Sequence, residues 1–311
     1  TTYAINLLAG AMERIPGAVL ISDSEHNSNR LPWLRGEVVE LACPPGTPFP
    51  LEQYKRLLSP QVKLVSLGSV SNVTGASIPV KEVVEAAHAL GIPVHIDAAQ
   101  HFAHGTVDIE TMQPDALSFS LHKAYGPTGL GVLYLNRKFR TRLEPTIAGG
   151  GSVDDHWDHE MTYSSGAARY EFGLQNYAAL AAVEHTVEFL RGFSKERLEA
   201  HFLSLNRAMR QSLSAIDGLT FVGPERAEEA SSICNFAIKN CDSARLAELL
   251  DTVANVRVRS GRMCCHHYYH KYMIEPSIRV SFGYFNTMEE VDRFCSVLPD
   301  LVAHFMGKPN E

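Results

Sequence analysis

The chain has 311 residues, is 45% hydrophobic and 20% charged, and carries 28 Lys+Arg against 35 Asp+Glu for a formal charge of -7. This balance lacks the basic excess of a nucleic-acid binder, and no apolar run reaches the roughly 20 residues that cross a bilayer as a helix. No basic-then-apolar leader opens the sequence and none of the six cysteines forms a C-x-x-C pair, so the expectation is a cytoplasmic protein of about two domains that needs no disulfide or metal staple.

Thr1 and Thr2 open a helical pattern over Tyr3 to Met12. Ala18 to Ser22 reads as a buried strand, Pro50 to Leu58 as a short helix and Val62 to Leu67 as a second strand. Pro79 to Leu90 carries Val83, Val84, Ala87 and Leu90 at helical spacing, with Pro at its start and Gly91 at its end, which predicts a helix. Pro93–Ile96, Ala116–Ser120 and Gly131–Leu135 read as further strands. Strands alternating with helices predict an α/β fold with a mostly parallel sheet. Helices are expected over Asn176–Leu190, Lys195–Leu213, Ser243–Leu250 and Met288–Leu298. Extended segments are expected over Leu219–Val222, Ile233–Ile238, Val256–Arg259 and Ser277–Phe282. The change in order near Arg191 predicts a large domain over 1–191 and a smaller α+β domain over 192–311.

Ligands of open α/β sheets bind beyond the carboxyl ends of the strands. Four polar groups fall there: Glu25-His26-Asn27, Ser71 to Gly75, Asp97 to Gln100, and Ser120 to Lys123. Any one alone is more often a solvated loop; four in succession point to a site. A lysine just past a buried strand loses its proton more readily, because desolvation disfavours the ammonium. A neutral lysine is the group that condenses with an aldehyde. An acid such as Asp97 facing a pyridine nitrogen keeps that nitrogen protonated and makes the ring an electron sink. His26 suits stacking on an aromatic ring. Ser120, His122 and the hydroxyls of Thr1 and Thr2 suit a phosphate, the last two beside a helix N-terminus.

The residues Ser71-Asn72-Val73-Thr74-Gly75, Asp97-Ala98-Ala99-Gln100 and Ser120 to Gly129, with the segment Glu25 to Asn29, resemble the class V aminotransferase superfamily. The resemblance is strongest to its cysteine desulfurase and selenocysteine lyase branch and covers nearly the whole chain. It implies the fold type I of pyridoxal 5'-phosphate enzymes, a mostly parallel large sheet of the seven-stranded type with a smaller α+β C-terminal domain. It implies that Lys123 carries the cofactor as a Schiff base and moves protons at the substrate Cα. His26 would stack on the ring, Asp97 pair with its nitrogen and Gln100 with its phenolic oxygen. Ser120 and His122, helped by Thr1 and Thr2, would hold the phosphate. Asn72 would lie near both the cofactor's ring oxygen and the substrate carboxylate, and Arg259 and Arg279 would meet the substrate, Arg279 gripping its carboxylate by a planar fork that lysine cannot copy.

Arg259-Ser260-Gly261-Arg262-Met263-Cys264 resembles the loop that carries the nucleophilic cysteine in the SufS-like branch, with Arg262 placed to favour the reactive thiolate of Cys264. A buried structural thiol is the plainer reading of that cysteine, and its place beside two arginines argues against it. Cys265 has no role by the resemblance. His266 and His270 share a helix face beside the two cysteines, but adjacent ligands chelate one tetrahedral ion poorly, so no metal site is expected. Relatives of this kind carry several dozen further residues before the Thr-Thr pair, so the resemblance implies a fragment, a truncated gene product or a shortened relative. Leu174 stands where relatives have a threonine that reaches the neighbouring subunit's phosphate.

The leading expectation is a homodimeric enzyme that converts L-cysteine to L-alanine and leaves a persulfide on Cys264 for a sulfur-acceptor or scaffold protein, as in iron–sulfur cluster assembly. L-Selenocysteine as substrate, another class V reaction, and a non-enzymatic homologue acting as a partner protein stay open.

Overall fold

The computed structural model describes residues 1–104 and 107–306. Runs of aliphatic and β-branched residues form a central sheet of β1 (Ala18–Ser22), β2 (Val38–Leu41), β3 (Val62–Gly68), β4 (Val94–Asp97), β5 (Ala116–Ser120) and β6 (Gly131–Leu135). Their spatial order is β2-β1-β3-β4-β5-β6. Neighbours run parallel except β6, which lies antiparallel to β5. Among the described residues the sheet therefore has six strands, not the seven expected. β2 and β6 are its edges, and a groove of about 920 Å³, lined by Tyr3, Leu133, Tyr170 and Leu180, lies beside β6.

Side chains alternate across this sheet, and both faces are covered. Val19, Ile21 and Leu64 pack with Ile5, Leu8 and Met12 of the helix Thr2–Met12. Leu20, Val65, Leu67, Val94 and Ile96 pack on the other side with Tyr54 and with Val80, Val83, Val84 and Ala87 of the helix Val80–His88. Each such aliphatic side chain contributes about 1.5–3 kcal/mol by leaving water. The second helix ends as its sequence predicts: Gly91 takes φ +70, and the Ile92 N–H returns to the Ala87 carbonyl at 3.1 Å.

A hairpin follows, β7 (Val153–Trp157) with β8 (Glu160–Tyr163), turning at Asp158 with φ +52. The sequence reading missed it, and missed β2. The helix expected over Asn176–Leu190 is divided at Ala182 into Tyr177–Ala181 and Val183–Arg191. The break is a tightened turn, where the Ala182 N–H reaches the Ala179 carbonyl.

The second sheet is antiparallel, ordered β11-β12-β10-β9, from β9 (Leu219–Phe221), β10 (Ile233–Ile238), β11 (Arg259–Gly261) and β12 (Ser277–Ser281). Only the end of the segment expected over Val256–Arg259 joins it. The helices Lys195–Leu213 and Met288–Met306 close its core with Phe202, Leu205, Met209, Phe294 and Leu298 against Phe236 and Ile278. Ser194 caps the first of them, accepting from the Arg197 N–H at 3.1 Å. Met288–Met306 and Ser243–Ala254 both run beyond their expected ends.

The two sheets meet at the turn after β3. Gly223, φ +141, lies so close to it that a Cβ there would sit 2.7 Å from the Thr74 carbonyl. That contact seats the second sheet against the strand ends of the first.

Candidate active site

A cavity of about 310 Å³ opens at the carboxyl ends of β1, β3, β4 and β5. Thr1, Thr2, His26, Asn72, Asp97, Gln100, Ser120, His122 and Lys123 all line it. Parallel strands bring these ends together although the residues span most of the first half of the chain. Lys123 sits in a single tight turn, Leu121–Ala124, that follows β5 directly. Tyr125 ends this turn in the left-handed region, φ +61, and its hydroxyl accepts from the Tyr284 N–H at 3.2 Å.

Burial pushes the Lys123 ammonium pKa down, and Arg279 pushes the same way; the Asp97 carboxylate and the Cys264 sulfur oppose them. Burial pushes the Asp97 carboxyl up, while the Ala99 N–H, at 2.9 Å, and Lys123 pull it back. Burial, then Lys123 and Arg279, lower His26 to about 4. Its Nδ1 accepts from the Ser28 N–H at 3.1 Å, so the imidazole is neutral at pH 7. Hydroxyls cluster at the rim: Thr1 Oγ1 lies 2.6 Å from Ser120 Oγ, and Thr2 Oγ1 lies 2.6 Å from Ser28 Oγ. They surround the N-terminus of the helix Thr2–Met12, which favours an anion.

Beyond the cavity lining, which from the second half of the chain includes only Pro224 and Tyr268, Arg279 and Cys264 lie close enough to Lys123 to act on its charge. Arg279 in β12 lies in register with Arg259 in β11. Arg279 donates from Nη1 to the Asn72 carbonyl at 3.0 Å, and its Nε is buried without a partner. A buried guanidinium N–H left unpaired is a donor awaiting an acceptor. Arg259 is exposed and lies outside the cavity lining; it acts on Arg279 through charge.

Cys264 is partly exposed, whereas Cys265 is buried. Met263 and Cys264 are both left-handed, φ +50 and +57. Asn72 Nδ2 donates to the Met263 carbonyl at 2.7 Å, and the Asn27 N–H donates to the Cys264 carbonyl at 2.7 Å. Burial pushes the Cys265 thiol up, and its Sγ donates to Asn72 Oδ1 at 3.1 Å. The accessible sulfur is therefore that of Cys264. The next helix, His266–Lys271, is tied to the large sheet by Lys271, which reaches Asp23 at 2.8 Å and Glu40 at 2.9 Å.

Sequence reasoning missed a buried network beneath the cavity. Glu25 accepts from Ser22 Oγ (2.7 Å), Asn29 Nδ2 (2.7 Å) and the Gly68 N–H (3.0 Å). Burial raises its carboxyl to about 7, with those donors opposing and Asp97 reinforcing the rise. The network continues from Asn29 Oδ1 to Ser66 Oγ (2.6 Å), His95 Nδ1 (2.8 Å) and, from His95 Nε2, Ser118 Oγ (2.9 Å). Burial lowers His95 to about 3. The available signal was polar residues inside otherwise apolar strands, Ser66, His95 and Ser118. Among the described residues no group of three or more His, Cys, Asp or Glu is arranged to hold a metal ion, and no helix is long and apolar enough to cross a membrane.

The model of the class-V aminotransferases matches residues 1–294. The chain belongs to the class-V aminotransferase family. A Vibrio cholerae protein described as a probable cysteine desulfurase is 31% identical over 307 residues, covering 96% of this chain and 75% of that protein. Among solved structures, the cysteine desulfurase of Thermococcus onnurineus superposes with a TM-score of 0.92 at 26% identity, covering 97% of this chain and 78% of that one. The cysteine desulfurase CsdA of Escherichia coli gives 0.90 at 26% identity, covering 97% and 77%. This class-V chain is an enzyme of a pyridoxal-phosphate family. The site fits that cofactor on its own terms. A lysine suited to an aldehyde, an acid suited to a ring nitrogen and a hydroxyl-rimmed helix N-terminus share one cavity of small-molecule size.

Proposed function

We propose that this chain is a pyridoxal-phosphate-dependent cysteine desulfurase, converting L-cysteine to L-alanine and leaving one sulfur on Cys264. The observation that carries this reading is the nearness of a partly buried Lys123, its ammonium disfavoured by burial, to Arg279, whose Nε is unpaired, and to the partly exposed Cys264. When bound, pyridoxal phosphate supplies an aldehyde for the substrate amine and a ring that stores the electron pair freed at Cα.

The chain's residues do the rest. Thr1, Thr2, Ser120 and His122 would hold the phosphate; Asp97 would keep a proton at the ring nitrogen, Gln100 would serve the phenolic oxygen, and neutral His26 would offer its ring face to the cofactor. Lys123 Nζ takes the Cα proton and returns protons as alanine forms. Arg279 orients the substrate carboxylate from the Asn72 side, a charge-assisted contact that fixes which Cα bond faces Lys123. The Cys264 thiolate attacks the substrate sulfur: an S–S bond forms, the substrate C–S bond breaks, and its electrons and a proton go to the alanine carbon. Arg259 is assigned no direct contact; its charge bears on Arg279.

The reading extends to a homodimer, supported by the exposed Tyr3, Trp157, Met161, Leu174 and Tyr177, and to a sulfur-acceptor protein that takes the Cys264 sulfur. A cytoplasmic location is supported by six free thiols. The two-domain division near residue 191 is supported by the separate cores of the two sheets. The test is alanine and sulfide release from L-cysteine by the cofactor-loaded chain with a reductant. Turnover that disappears in Cys264→Ala is expected. A folded, cofactor-loaded chain with no turnover, or turnover that survives Cys264→Ala, would overturn the reading.

A further inference from the structure

Cys265 touches neither substrate nor cofactor in this scheme, yet it is held as firmly as its neighbour. We propose that Cys265 is a positioning residue for sulfur transfer: through Asn72, its thiol fixes the turn that presents Cys264. This rests on the desulfurase reading.

Asn72 is gripped at both ends of its amide by one turn of the chain some 190 residues away. Nδ2 donates to the Met263 carbonyl at 2.7 Å, and Oδ1 accepts from Cys265 Sγ at 3.1 Å. Its backbone carbonyl meanwhile accepts from Arg279. One residue thus fixes both the nucleophile's turn and the guanidinium aimed at the substrate. The turn needs fixing. Met263 and Cys264 are consecutive non-glycine residues in the left-handed region, each costing about 1–2 kcal/mol. Such a conformation persists only where surrounding contacts over-determine it. Those contacts are the two to Asn72, the Asn27 N–H on the Cys264 carbonyl, and the Cys265 N–H on the Arg262 carbonyl at 2.8 Å.

The Cys265 sulfur is a donor here and not a second nucleophile. The residue is 1% exposed, and burial keeps its thiol protonated. Asn72 is itself buried, so removing the S–H leaves its Oδ1 without that donor in a place water reaches poorly. Cys265→Ala removes the donor with little change in packing volume. Cys265→Ser keeps a donor at the same position.

Both variants and the wild type are compared in two assays. In turnover of L-cysteine by the loaded enzyme, Cys265→Ala is expected to lower kcat about three- to tenfold, the kinetic equivalent of one hydrogen bond. KM should stay within about twofold, since Arg279 still holds the carboxylate. Cys265→Ser is expected to recover most of the loss, and Cys265→Ala is expected to have no further effect in an Asn72→Ala background. The second assay needs no cofactor: the rate of iodoacetamide alkylation, read at Cys264 by peptide mass. It should change several-fold in Cys265→Ala and return close to wild type in Cys265→Ser. Wild-type values for Cys265→Ala in both assays would overturn the proposal, as would a Cys265→Ser variant that is folded but no better than Cys265→Ala. If the wild-type chain forms no alanine, the desulfurase reading falls, and the alkylation comparison alone decides the role of Cys265.

Discussion

Removing the Glu40 charge should loosen the helix that follows Cys264 before it harms the sheet. Glu40 on β2 accepts from Lys271 Nζ at 2.9 Å and forms ion pairs with Arg30 Nη1 at 2.7 Å and with His267 Nε2 at 3.2 Å. These contacts hold the helix after Cys264 to the edge of the large sheet. Burial disfavours the Glu40 carboxylate, but the Lys271 ammonium and the Arg30 guanidinium outweigh it and hold the carboxyl at about 2 against an ordinary 4.5. In full, that displacement would stabilise the fold by about 3 kcal/mol. Glu40 is partly exposed, and solvent screening reduces the figure to about 1–2 kcal/mol. A carboxyl lowered by folding contributes fully above its ordinary pKa and loses that contribution as pH falls toward the folded value. Glu40→Gln is therefore expected to lower the melting temperature by about 2–5 °C at pH 7, with the gap closing as pH falls from 5 to 3. Amide exchange should quicken over residues 262–272 and stay unchanged in β3, β4 and β5. Equal melting at pH 7, or a gap that widens in acid, would refute the assignment of the clasp.

Three further outcomes follow from the site. Lys123→Ala should abolish the visible absorption of the loaded chain that marks a Schiff base, without unfolding it; an unchanged spectrum would place the aldehyde elsewhere. Arg279→Lys keeps the charge and loses the fork, so KM for cysteine should rise about ten- to hundredfold with a smaller change in kcat; unchanged KM would remove Arg279 from substrate binding. His26, lowered to about 4 by burial and then by Lys123 and Arg279, should show no imidazole titration by NMR above pH 6, and a midpoint near 6.5 would contradict its burial beside those cations.

Much of the large sheet was legible because its strands are short apolar runs closed by turn residues. Ala18–Ser22, Ala116–Ser120 and Gly131–Leu135 fall at their expected bounds. β2 was not legible: Val38–Leu41 is four residues long, includes Glu40, and is only partly buried along most of its length. Its identity as a strand is set by pairing with β1, which local pattern does not carry. The hairpin of β7 and β8 is mostly exposed, so it lacks the alternation that would mark it. At the site, the polar ends of four strands could be read because parallel strands bring such ends together. The grip of Cys265 on Asn72 joins residues 193 apart, and the seat of Gly223 on Thr74 depends on how the second sheet docks. Neither leaves a trace in spacing.

The most direct test is a single turnover with L-cysteine and no reductant, followed by peptide mass mapping of all six cysteines. Alanine should form in equal amount to enzyme, with one added sulfur on the peptide at Cys264. Alanine without added sulfur, or the sulfur carried by another cysteine, would contradict the assignment of Cys264 as the group that takes sulfur from the substrate.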